Sequence, residues 1–246
     1  MSDTSTTSTK RQPVLPTRYA VRSEPVRKAP PWAGAVTDAF TVASRLRGGH
    51  LFHPAGALYA ATLEPEGGDF LGGRGSYEAV ARISKALSLP GGLPDYLGIA
   101  LHIPTEEGLL DLLFATTGRR AVLRHVLVPR ASFTSGAYTT LLPYAIKGRT
   151  RILGLLPERR RPIPARLDLL DRAVAAAPLS FRLVSAPVTG PWRHEGVLRV
   201  HTPWRGEDLG PFDPELHDLS EIHPTGPFQT FRRLAYLGSR RGRGEG

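Results

Sequence analysis

LGIALHIPTEEGLLDLLFATT, Leu97 to Thr117, holds the two apolar runs whose reading decides the fold. LGIALHIP and LLDLLFATT both suit β-strands, and the polar TEEG parts them. Upstream, ALYAATL (Ala57–Leu63) leaves the turn HPAG as a strand, and VARIS (Val80–Ser84) is another. Downstream, RHVLVP (124–129) and TRILGLLP (150–157) add two candidates, and LSFRLVSAPVTG and HEGVLRVHTP pair around a turn at Gly190–Pro191. Helical spacing is confined to DLLDRAVAAAP, from Asp168, and to the chain's end from about Phe228. Strands in the middle and helices at the margins predict an α+β domain on an antiparallel sheet or barrel.

Composition bounds the chemistry. The 246 residues are 41% hydrophobic and 22% charged, ordinary for a globular chain that buries a core. Residues 1–30, rich in Ser, Thr, Pro and basic side chains, are expected to be a disordered or extended arm; residues 31–243 are expected to form a single domain. No apolar run reaches the roughly 18 residues of a membrane span. The N-terminal MSDTSTTSTKRQP lacks a secretory h-region, so a cytoplasmic chain is expected. The absence of cysteine excludes disulfides, thiolate metal sites and thiol nucleophiles. The formal charge of +10 is carried mostly by arginine. Because the arginines are scattered and no aromatic-basic motif accompanies them, arginines that hold an anionic cofactor are favoured over a nucleic-acid partner.

Three stretches carry candidate chemistry. In RRLAYLGSRRGR (232–243), helical spacing sets Arg232, Tyr236, Ser239 and Arg243 on one stripe. An arginine one turn from a phenol favours the phenolate, a good ligand for ferric iron. His53, before a Pro and a Gly at a strand's entry, is placed for presentation to a cleft, although such a histidine alone is more often a turn residue; His50 is less distinctive. Arg82 lies within an apolar alternation and is expected to point inward, where a guanidinium needs an anion: Asp95, Asp111 or a bound propionate. Other stretches read as structure. GGRG (72–75) lacks the phosphate-loop pattern, SFTSGAY (132–138) is no nucleophile elbow, and His194 and His201 would face opposite sides of a strand.

In this order the pieces resemble the catalase superfamily, especially its small catalase-related members. HLFHPAG resembles the family's R-V-V-H-A-K-G, with His53 as the distal histidine. RIS (Arg82–Ser84), PDYLGIALHI (Pro94–Ile103) and LDL (Leu110–Leu112) resemble R-F-S, P-D-x-R-G-F-A-x-K-F and W-D-L. Arg232, Tyr236 and Arg243 resemble the proximal R-x-x-x-Y motif and its later arginine.

The resemblance implies an eight-stranded antiparallel β-barrel with flanking helices and one haem b. It implies Tyr236 as the iron ligand, His53 as the acid–base, Ser84 as its orienting partner, and Arg82, Arg232 and Arg243 as cofactor contacts. A hydroperoxidase follows, acting on a peroxide and a small organic reductant, with self-association left open. Two departures shape that activity. The family's peroxide-holding asparagine falls at about Ala115, and the chain has no asparagine; His50 replaces an arginine. Both favour peroxidase turnover over fast dismutation. The alternatives are a catalase-like haem binder without turnover and, less favoured, a basic nucleic-acid-binding module.

Overall fold

The computed structural model describes residues 55–158, 161–206, 210–214 and 216–225. The expected N-terminal arm and C-terminal helix lie outside the described residues.

The strands are β1 (Ala55–Pro65), β2 (Tyr77–Lys85), β3 (Leu97–Pro104), β4 (Leu109–Thr117), β5 (Ala137–Thr139), β6 (Tyr144–Ile146), β7 (Arg149–Pro157), β8 (Leu179–Ala186), β9 (Arg193–Pro203) and β10 (Ile222–Pro224). Every pairing is antiparallel. Eight of them form a ring: β1–β2–β3–β4–β5–β7–β8–β9, with β9 returning to β1. The barrel is closed, which removes the exposed edges of an open sheet. β6 and β10 form a short annex on the first residues of β7.

Alternation decides which side chains go inside. Ala79, Ala81 and Ile83 of β2, Leu97, Ile99, Leu101 and Ile103 of β3, and Leu110, Leu112 and Phe114 of β4 belong to the central core. Tyr59, Leu63, Tyr138, Leu155, Phe181 and Leu198 join them from the other strands. Tyr138 meets Phe181 edge-on, with ring centroids 6.0 Å apart. These side chains fill the interior, which at eight strands is only wide enough for side chains or one small ligand. Any ligand face must therefore be looked for on the outer wall or at the ends.

Among the described residues there is one α-helix, α1 (Leu167–Ala176), between β7 and β8. It buries Leu170, Ala173 and Val174 against the barrel core, and its Asp171 accepts a 2.5 Å hydrogen bond from Tyr59. RHVLVP is not a strand. Leu123–His125 forms a 3-10 turn, and only Leu127 bridges to Thr117. The cause is Arg124. Its guanidinium is drawn inward, donating to the carbonyls of Pro187 (3.3 Å) and Gly190 (2.8 Å) and lying 4.1 Å from the Trp192 ring centre. Within HPTGPF, His223 and Pro224 belong to β10.

Candidate functional site

On the outer wall, the residues left by the core alternation line up across β1 to β4. Gly56 pairs with Ser84, Ser84 with Gly98, and Gly98 with Ala115. One rung thus consists entirely of small side chains. The next rung is Leu58, Arg82, Ala100 and Leu113. Leu58, Ala100, Leu113 and Ala115 are half-buried, so the face is apolar and low. Ser84 is 3% exposed.

Arg82 points out of the barrel, not inward. Its neighbours Ala81 and Ile83 fill the interior, and both faces of β2 are apolar enough that the sequence alternation alone does not tell them apart. The guanidinium leans over Gly56. A Cβ there would stand 3.0 Å from Arg82 Cζ and Nη2 and from Ser84 Cβ, so a larger residue would push the cation away. Burial lowers the Arg82 pKa, because the charged form loses solvation.

The two carboxylates considered for Arg82 are engaged elsewhere. Asp95 accepts from the Leu87 and Leu89 amides and lies 4.0 Å from Lys85 Nζ. Asp111 is held by His102, His217 and the Asp213 amide. A flat apolar face bordered by a half-buried guanidinium suits a flat apolar group with a carboxylate at its edge.

Solved structures of similar shape bear on this wall. One is a fungal catalase, at TM-score 0.60 and 12% identity, covering 94% of this chain and 66% of its own. The fold is that of the catalases. A bacterial catalase superposes at TM-score 0.53 with 11% identity, over 78% of this chain and 56% of its own. Catalase A from Saccharomyces cerevisiae gives TM-score 0.56 and 11% identity, over 92% and 68%. The chain therefore spans about two thirds or less of the length of these catalases. No protein-family model and no curated protein matches the sequence. No described helix is long and apolar enough to cross a membrane.

Of the residues singled out in the sequence, the catalase-like barrel brings Arg82, Ser84 and Ala115 onto one outer face. His50, His53, Arg232, Tyr236 and Arg243 lie outside the described residues. Sequence reasoning missed the cluster His102–Asp111–His217, which sits on the same outer wall. The pairing of two correctly read strands would have joined His102 to Asp111. Nothing in the sequence spacing foretells His217. A separate cavity of about 430 Å³, lined by Arg119, Ser132, Ser135 and Arg182 among others, lies on the β7–β8 half of the barrel.

Proposed function

We propose that the chain is a haem b-dependent hydroperoxidase of catalase-related type, acting as a peroxidase more than as a fast catalase. The observation that carries this is the small-residue rung Gly56–Ser84–Gly98–Ala115 beside Arg82, on the outer wall of a catalase fold. These residues fit the group in kind: the rung presents only small side chains towards a planar macrocycle, and Arg82 would supply a cation for a propionate. When bound, haem b would supply a ferric centre at which a peroxide O–O bond is cleaved.

The chain's own residues carry the remaining work. Arg82 neutralises a carboxylate at the edge of the platform, with Arg243 as a second contact. Tyr236 would provide a phenolate ligand, and Arg232, four residues earlier in the sequence, would favour its ionised form. His53 takes the proton from the inner oxygen of a peroxide and returns it to the outer one, and Ser84 orients the imidazole. The His53, Arg232, Tyr236 and Arg243 roles rest on the sequence resemblance alone. Ala115, where the family places an asparagine, offers no amide to hold hydrogen peroxide. That opening favours organic hydroperoxides and small organic reductants.

The test is peroxidase turnover of the haem-loaded full chain, with hydrogen peroxide or an organic hydroperoxide as oxidant. His53→Ala is expected to lower the rate about 10²- to 10⁴-fold, the range of a lost general acid–base. Equal rates in the two proteins would instead favour a haem-binding protein without turnover, the reading that Ala115 also supports.

A further inference from the structure

His102 and Asp111 are direct cross-strand partners on β3 and β4, and both are fully buried although they stand on the outer wall. What covers them is the segment that follows β9. Phe212 stacks flat on the His102 ring, with centroids 3.8 Å apart and planes 9° from parallel. The Asp213 amide donates to Asp111 Oδ2 at 2.7 Å, and the Asp111 amide donates to the His217 carbonyl at 2.9 Å. His102 and His217 both present Nδ1 to the same carboxylate, one to each oxygen, the His217 contact being 2.8 Å. One ligand atom from each of the three residues lies within 4.8 Å of the others.

We propose that His102, Asp111 and His217 form a structural site for a borderline divalent cation, zinc first, which clamps the 210–225 segment onto the barrel wall. Two imidazoles and one carboxylate are a zinc-type donor set, and bonds of about 2.0–2.2 Å require ligand atoms this close together. The ion takes the place of the proton each Nδ1 shares with the carboxylate; each ring stays neutral by carrying one proton at Nε2, and any second proton leaves to solvent. His217 is the only member reached by solvent, with 22% of its side chain exposed; that edge admits the ion and a water as fourth ligand.

His102 Nε2 has no partner among the described residues, and with Nδ1 given to a metal it carries the ring's one proton. What favours the ion is the approach of three ligand atoms, from β3, β4 and His217, to within 4.8 Å of one another. The Asp213 amide and the stacked Phe212 act as the supporting shell that fixes ligand orientation. The site stands about 13 Å along β3 from the Gly98–Ala115 rung, four residues away, and its occupancy does not depend on the haem reading.

The experiment uses the full chain as purified, stripped with a chelator and titrated with zinc sulfate. Zinc per chain is measured after desalting, and thermal unfolding is followed alongside. The expected result is one zinc per chain and a midpoint raised by about 5–10 °C at a hundredfold excess over Kd. His217→Gln keeps a donor for Asp111 but supplies no imidazole, and is expected to fold and to lose both effects. Asp111→Asn is the second variant, but its full burial and three hydrogen-bond partners put folding at risk, so His217→Gln is the deciding comparison. The proposal is overturned if zinc leaves the wild-type midpoint unmoved, or if His217→Gln binds and shifts as the wild type does.

Discussion

Arg82 and Ala115 make opposite demands on the platform, and each can be tested by itself. Arg82 is a half-buried cation leaning over Gly56, at the edge of the platform where a carboxylate of the cofactor would lie. A charge-assisted hydrogen bond contributes roughly 1.5–3 kcal/mol, which converts to about 10- to 150-fold in affinity. Arg82→Ala is therefore expected to weaken haem binding by that factor in an equilibrium titration, with partial recovery in Arg82→Lys. An unchanged Kd would detach Arg82 from the cofactor. Ala115→Leu acts through shape. A branched side chain standing on the Gly56–Ser84–Gly98–Ala115 rung should abolish haem uptake, while the denaturant midpoint of the barrel stays nearly the same, since the position is half-buried and outside the core. Uptake equal to wild type would move the cofactor off this wall.

Among the elements, β3 and β4 were legible because both are short apolar runs bounded by turn residues, and the structure places them at Leu97–Pro104 and Leu109–Thr117. α1 was legible from its spacing, and β8 and β9 from the Gly-Pro turn between them. RHVLVP misled because its composition is that of a strand, while Arg124 finds carbonyl and indole partners only the folded chain supplies. The outward direction of Arg82 was hidden by β2, where Val80 is as buried as Ala81.

The junction of α1 with β1 gives a prediction in pH. Burial first, and the hydrogen bond to Asp171 second, raise the Tyr59 pKa well above its ordinary 10.0. Burial likewise raises that of Tyr138, against a lowering effect of Arg130. Both tyrosines are raised groups, so their stabilising effect is complete below pH 10 and is lost as pH rises above it, where unfolded tyrosines ionise and these two cannot. Urea unfolding between pH 9 and 11 should show stability falling, and falling less steeply in Tyr59→Phe. At neutral pH that variant is expected to lose about 1 kcal/mol, the net worth of one hydrogen bond. A flat profile in the wild type would contradict the assignment.

At the scale of the whole molecule, closure of the barrel through β7–β8 and β9–β1 sets the outer wall apart from the packed interior. Long-range pairing of this kind cannot be read from local periodicity; the family resemblance supplied the eight strands, and the match to solved catalases confirms the fold. The platform was partly legible, because Arg82, Ser84 and Ala115 were each singled out from motifs. Their assembly into one face depends on register, which only the folded sheet fixes. The His102–Asp111–His217 cluster was not legible, since His217 arrives from 106 residues beyond Asp111.

Haem ligation is tested most directly by the absorption spectrum of the full chain reconstituted with ferric haem b, recorded beside Tyr236→Phe. Uptake of one haem per chain is expected, with a five-coordinate ferric spectrum that changes in the variant. Absence of stoichiometric uptake, or identical spectra in the two proteins, would contradict a phenolate-ligated haem on this barrel.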